Sequence, residues 1–186
     1  MNRLIALLAL AVVSTSIVAD ELKDRADASR ATVKEFGKTL KGKMQAAMKA
    51  GGPSNAIKVC NADAPGIATD MSNKKGWDVG RTSLKIRSAA NAPDAWETKV
   101  LNDFEKRKAD GADPMKLEHY EVVTENGKKL FRYMKAIPTG KVCTNCHGDS
   151  IDPAVKAKLK ELYPSDKATG FKVGDIRGAF TITQPM

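Results

Sequence analysis

Apolar side chains recur every three or four positions between residues 20 and 50, which is the period of an amphipathic helix. They are Val33, Phe36, Leu40, Met44, Ala47 and Met48. Gly51, Gly52 and Pro53 follow at once, and this combination predicts the end of the helix. The same spacing then predicts a second helix as far as Met71. Pro65 lies within it and predicts a kink or break, because proline cannot donate the helical hydrogen bond.

The spacing shortens to two over residues 78–88, where Thr82, Leu84 and Ile86 alternate with polar and basic positions. This alternation predicts a strand with one basic face. Five more elements are expected in chain order: a helix around 96–104, strands over about 117–124 and 128–137, a helix over about 153–162 and a strand over about 178–184. The central two strands flank Asn126-Gly127, a strong hairpin signal.

This order of elements predicts local antiparallel pairing with helices packed on one face of the sheet, and therefore an α+β fold. No internal repeat or low-complexity linker divides the chain, so one domain over residues 20–186 is expected.

Residues 1–19 have the organisation of a secretory signal peptide. Arg3 precedes a short apolar run, and small residues lead to Ala19, after which Asp20 begins the charged part of the chain. We therefore expect export to the periplasm and no transmembrane segment after cleavage. An uncleaved anchor is the alternative.

Residues 143–147 carry the chemistry that the pattern of elements does not explain. Cys143, Cys146 and His147 form a C-x-x-C-H sequence, which is the attachment motif of a c-type haem. Two thiols at this spacing bond to one porphyrin, and the adjacent imidazole binds the iron as proximal ligand. The motif therefore predicts one covalent haem c, and the leader supports it because covalent haem attachment takes place outside the bacterial cytoplasm.

The chain has a formal net charge of +9. In an exported protein this favours an acidic partner protein, anionic lipid or haem propionates over nucleic acid, although the lysines are dispersed as on solvated helix faces. Only 5% of the residues are aromatic, so a haem would add planar bulk to the core.

The second axial ligand of the iron is open at this point. Cys60 is the third of three cysteines, and an odd cysteine in an exported protein needs an explanation. Its alternative role is that of a small buried apolar residue. The other candidates are His119 and five methionines that fit core packing: Met44, Met48, Met71, Met115 and Met134.

Three segments together resemble a PAS-like haem-c family that was long catalogued as a domain of unknown function. They are Ala56-Ile57-Lys58-Val59-Cys60, the run from Arg81-Thr82-Ser83-Leu84-Lys85-Ile86-Arg87 to Asn91-Ala92-Pro93-Asp94-Ala95-Trp96-Glu97, and the C-x-x-C-H motif. Ser88-Ala89 departs from the Asn-Pro that the family pattern has after the last arginine.

The resemblance implies a PAS-like antiparallel sheet with N-terminal helices packed on it. It also implies His147 as proximal ligand and Cys60 as distal ligand. Arg81, Lys85 and Arg87 are candidate contacts for the haem propionates, since arginine binds carboxylates through two hydrogen bonds.

The resemblance also implies redox or gas sensing, with an unknown redox or signalling protein as partner. The first alternative is a simple periplasmic electron-transfer cytochrome c, which carries the same haem with fixed ligands. An enzyme is not expected, because a peroxidase-like site needs an acid–base group beside an open iron position. The remaining alternative is a zinc site formed by Cys60, Cys143, Cys146 and His147.

Overall fold

The computed structural model describes the backbone of residues 3–186 and the side chains of residues 18–186. In chain order the elements are α1 (Arg3–Lys75), β1 (Asp78–Thr82), α2 (Ala95–Ala109), β2 (Glu118–Glu125), β3 (Lys128–Pro138), α3 (Thr144–His147), α4 (Pro153–Leu162) and β4 (Ile176–Pro185). Among the described residues, no helix has both the length and the hydropathy to cross a bilayer. The predicted leader lies almost wholly outside the described side chains and stays a prediction.

Helix α1 consists of two arms, because its backbone leaves the helical region at Gly51–Gly52. The arms run antiparallel. Lys43 pairs with Asp63 at 3.2 Å near the break, and Lys74 pairs with Glu35 further from it. The predicted end of the first helix is therefore confirmed, and the second arm, residues 53–75, folds back along the first.

The helix does not break at Pro65, because the backbone dihedrals stay helical through this residue. The kink predicted there stays a prediction. Pro65 is exposed, so water can satisfy the Asn61 carbonyl that lacks its helical donor. Ala64 and Ile67 on either side are buried, and their packing keeps the backbone helical across Pro65. Tertiary contacts outweigh the local preference of proline here.

The four strands form one antiparallel sheet in the order β1-β4-β3-β2. Strands β2 and β3 pair from Glu118↔Lys135 to Glu125↔Lys128. The turn between them has positive φ at Asn126 (51°) and Gly127 (74°), as a two-residue hairpin turn requires. The predicted hairpin and the predicted α+β class are both confirmed.

Strand β1 ends at Thr82 and is six residues shorter than predicted (82 against 88). The next residue begins a turn, because the Ser83 hydroxyl lies within hydrogen-bond distance of the Lys85 carbonyl (3.0 Å) and the Arg177 carbonyl (2.8 Å). Such local side-chain bonds compete with a strand ladder. The predicted basic strand face over Arg81, Lys85 and Arg87 is therefore wrong, since only Arg81 lies in the strand.

Helices cover both faces of the sheet, which corrects the expectation of one covered face. The α1 face holds Ala26, Phe36, Ile67, Met71, Val79, Phe131, Tyr133 and Ile182. The α2 face holds Val100, Leu101, Phe104, Leu117, Met134, Ala136, Ile176 and Ala179. Neighbouring residues of a strand point to opposite faces, so Tyr133 and Met134 belong to different cores.

Candidate functional site

The C-x-x-C-H motif lies directly after the central strand β3. A 3-10 turn (Lys141–Cys143) leads into the four-residue helix α3, which ends at His147. Both motif thiols are free and half-buried. This turn places the two cysteines and the histidine close together at one end of the sheet.

The His147 imidazole is held through one of its two nitrogens. Nδ1 lies 2.8 Å from the Ala168 carbonyl and 3.1 Å from Nε of Arg177. Burial, followed by the charges of Arg177 and Arg87, lowers the pKa of His147 to about 3. The ring is therefore neutral near pH 7, the form that binds metals, and Nε2 has no hydrogen bond within residues 18–186.

A loop of residues 168–171 fixes the backbone of the motif. Phe171 donates its backbone N–H to the His147 carbonyl at 2.9 Å, and Gly170 donates to the Gly148 carbonyl at 2.8 Å. The Phe171 ring meets the imidazole edge to face at 6.3 Å. This loop is a part of the site that the sequence did not reveal, because its residues form no recognisable motif.

Cys60 lies beside the motif, on the second arm of α1. Ile57, one turn earlier, packs in a cluster with Ile151, Val155, Leu159 and Cys146. Burial raises the pKa of the Cys60 thiol, while the charges of Arg81 and Arg87 lower it. Burial also raises the pKa of Cys146, and the nearby Cys60 adds to this rise. The helical hairpin thus brings together cysteines that are far apart in the sequence.

The three predicted basic residues have different environments. Arg87 pairs with Asp166 at 3.0 Å and donates to the carbonyls of Cys146 (2.6 Å) and Ala168 (3.1 Å). Arg81 lies over the Phe36 ring, and burial lowers its pKa. Its guanidinium donates no hydrogen bond within residues 18–186. Lys85 is exposed and lies 5.2 Å from the centre of the Phe171 ring.

Arg177 is a fourth basic residue of the site, and sequence reasoning missed it. It occupies a bulge of β4, because Ile137 pairs with Gly178 and Pro138 pairs with Ile176, which leaves Arg177 without a partner in β3. Burial, then Arg87 and Arg81, lower the pKa of Arg177 to about 10. No sequence motif includes this arginine, so its place in the site could not be predicted.

A model of the Tll0287-like family matches residues 14–185, which is nearly the whole chain. This protein belongs to the Tll0287-like family. A crystal structure of the cyanobacterial heme-protein Tll0287 has a similar fold, with a TM-score of 0.66 and 24% identity. The match covers 88% of this chain and 96% of that one. No curated protein matches the chain.

In this member of the Tll0287-like family, the other candidate ligands lie away from the motif. His119 is on the α2 face, where Nε2 is 3.1 Å from Glu121 and the ring is 5.8 Å from the Trp96 ring. Met71 and Met134 are buried in the two cores. Met115 is 64% exposed, and Met44 and Met48 are half-buried on the first arm of α1.

Two further features bear on other sequence hypotheses. Within the described side chains, no three His, Cys, Asp or Glu residues form a group that could hold a metal ion, so the four suggested zinc ligands do not form a metal site.

Trp96, in the segment that ends with Glu97, lies on the α2 face, where the Arg132 guanidinium is 4.3 Å from the centre of the Trp96 ring. In this structure that segment anchors α2 to the sheet.

Proposed function

We propose that this protein is an exported haem c protein, with thioether bonds from Cys143 and Cys146 and iron bound by Nε2 of His147. The arrangement of His147 is the observation that carries this proposal. A carbonyl faces Nδ1, Nε2 has no hydrogen bond among the side chains described, residues 18–186, and two free thiols lie within the preceding four residues. Proximal histidines are commonly oriented in this way, through the nitrogen that does not bind the metal. Membership of a family that includes a heme-protein supports the proposal.

The charges around the motif also suit a haem. The guanidinium groups of Arg81, Arg87 and Arg177 are close enough to affect one another, and within residues 18–186 Asp166 is the only carboxylate paired with any of them. Two propionates would balance the excess positive charge. Arg81 is the best suited of the three predicted contacts, because its guanidinium donates no hydrogen bond in the part of the chain whose side chains are described. Arg87 already binds Asp166 and two carbonyls, and Lys85 is exposed.

We propose Cys60 as the second axial ligand. The helical hairpin brings this thiol close enough to Cys146 to raise the pKa of that thiol. Burial raises the pKa of Cys60 itself, and the charges of Arg81 and Arg87 oppose part of that rise. A bound haem supplies a redox-active iron, and a thiolate ligand stabilises its ferric state. Cys60 would supply the negative charge of this thiolate from a helix that is separate from the motif. The bond between its sulfur and the iron could therefore break without disturbing the motif.

The proposed role is redox or gas sensing in the periplasm, with a redox or signalling protein as partner. A ligand that is lost when the iron is reduced gives two states that a partner can distinguish. We propose neither enzymatic activity nor nucleic-acid binding.

Absorption spectra of the haem-loaded protein, ferric and ferrous, with and without CO, test this proposal. We expect Cys60→Ala to change the ferric spectrum. Val59→Ala is the matched control, since it shortens a half-buried neighbour without removing sulfur, and its spectrum should equal that of the wild type. We also expect the ferrous wild type to bind CO.

Identical ferric spectra of wild type and Cys60→Ala would remove Cys60 from the iron. If the iron keeps both ligands on reduction and ignores CO and NO, the electron-carrier alternative replaces sensing. A colourless protein from a host able to attach haem would contradict the haem itself.

A further inference from the structure

The β4 bulge directs one side chain towards the proximal histidine. Arg177 has no partner in β3, and Gly178 beside it has φ +157°. A Cβ at Gly178 would lie 2.3 Å from the Thr82 carbonyl oxygen, so the bulge also depends on the absence of a side chain there. Bulges of this kind reorient a side chain next to functional sites.

The Arg177 guanidinium is fixed from two sides. Nη1 donates to the Ser83 hydroxyl at 3.0 Å and to the Lys85 carbonyl at 3.1 Å. The centre of the Phe171 ring lies 5.4 Å from the guanidinium carbon. Because these contacts do not involve His147, they hold the charge in place whatever the imidazole binds.

Nδ1 of His147 cannot satisfy both of its neighbours. The Ala168 carbonyl only accepts a hydrogen bond, and the Arg177 guanidinium only donates one. When Nε2 binds a metal, a neutral ring carries its proton on Nδ1 and donates it to Ala168. The guanidinium then faces the ring as a positive charge rather than as a hydrogen-bond donor.

We propose that Arg177 is a positioning residue of the proximal ligand, held by the β4 bulge so that its charge raises the reduction potential of an iron bound to His147. This inference rests on the proposed function. Ferric iron carries one more positive charge than ferrous iron, so a nearby buried cation disfavours the ferric state. Arg177 would thus offset part of the effect of a Cys60 thiolate.

The test is the ferric-to-ferrous ratio of the haem-loaded protein, measured with a redox dye at one fixed ambient potential. We expect Arg177→Gln to raise this ratio by about tenfold, which is about 59 mV for one electron. Arg177→Lys keeps the charge and should stay within about threefold of the wild type. The ferric spectrum should be unchanged in both variants, because the ligands are unchanged.

Lys172→Gln is the matched control, because it removes one exposed charge next to Phe171. Solvent and salt screen that charge, so the ratio should change by less than about twofold. A ratio in Arg177→Gln that falls, or that changes no more than in Lys172→Gln, overturns the proposal.

If Arg177→Gln does not accumulate with haem, Ser83→Ala decides the question, because it loosens the guanidinium without removing it. We expect a rise smaller than tenfold but larger than in Lys172→Gln, and an unchanged ratio overturns the proposal. A wild-type protein without covalent haem would instead contradict the proposed function.

Discussion

At the scale of single residues, Arg87 joins three separate parts of the site. Its guanidinium pairs with Asp166, and it donates to the backbone carbonyls of Cys146 in the motif and Ala168 in the neighbouring loop. The Ala168 carbonyl also lies against Nδ1 of His147. Arg87 thereby helps to set the position of the group that orients the imidazole.

We predict that Arg87→Gln lowers the free energy of unfolding of the haem-loaded protein by about 3 kcal/mol, since it removes the charged partner of the Asp166 carboxylate, whose side chain is only 10% exposed. Arg107→Gln is the control, because its pair with Asp103 is exposed and should contribute less than about 1 kcal/mol. Urea unfolding followed by circular dichroism measures both. Equal losses in the two variants would show that Arg87 is an ordinary surface charge.

The site residues that belong to a sequence motif were predictable, and those that only the fold brings to the site were not. Cys143, Cys146 and His147 follow from their spacing alone. Ser83, Ala168 and Arg177 do not, because their roles depend on chain segments that meet only in the folded protein.

At the scale of elements, the bulge of β4 requires a glycine at position 178. Gly178 combines φ +157° with a backbone approach that leaves no room for a Cβ. Its neighbour Arg177 owes its orientation to the same irregularity. In a regular strand every side chain alternates between the two faces of the sheet, and the bulge interrupts that alternation at Arg177.

We predict that Gly178→Ala lowers the free energy of unfolding by about 2–3 kcal/mol, because alanine is strained at this φ and would collide with the Thr82 carbonyl. Gly42→Ala is the matched control: beyond its own helix, no described atom of residues 18–186 lies within 4 Å of a Cβ added at this glycine. That change should stabilise the protein by about 0.5–1 kcal/mol. Urea unfolding of both variants gives the comparison, and a neutral Gly178→Ala would contradict the bulge argument.

The contact between α1 and the sheet includes a carboxylate that titrates in the acid range. The Arg30 guanidinium pairs with Glu118 and, with a hydrogen bond from Tyr133 (2.9 Å), holds the pKa of Glu118 below its usual 4.5. A lowered pKa in the folded protein stabilises it above the unfolded pKa, and this contribution is lost as pH falls through the folded pKa.

We therefore predict that Glu118→Gln is less stable than the wild type at neutral pH and that the difference shrinks as pH falls below about 4.5. Urea unfolding of both proteins over a pH series measures it. A difference that stays constant with pH would show that the Glu118 charge does not contribute. The neutral glutamine keeps the size of the side chain, so packing changes little.

The elements themselves were largely predictable, because their apolar spacing and turn residues agree with the final structure. The hairpin at Asn126-Gly127 is an example. The unbroken helix at Pro65 and the end of β1 were not predictable, since contacts with neighbouring segments determine both. Packing on either side keeps the backbone helical at Pro65, and Ser83 ends the strand through a hydrogen bond to the Arg177 carbonyl.

At the scale of the whole molecule, one sheet separates two cores and carries the site at one end. The α1 hairpin covers one face and also supplies Cys60, while α2 covers the other face. The strand-like runs and the hairpin signal between them implied a sheet, but no sequence feature specified that α2 would cover the second face. The same hairpin thus contributes to stability and to the proposed ligand set.

Covalent attachment of one haem through Cys143 and Cys146 is the proposal on which the others depend. Intact-mass spectrometry under denaturing conditions tests it, on protein exported by a host that attaches c-type haem. We predict the mass of the mature chain plus one haem in the wild type and in Cys60→Ala, and of the chain alone when both motif cysteines are changed to alanine. A wild-type mass equal to that of the polypeptide alone would contradict the account.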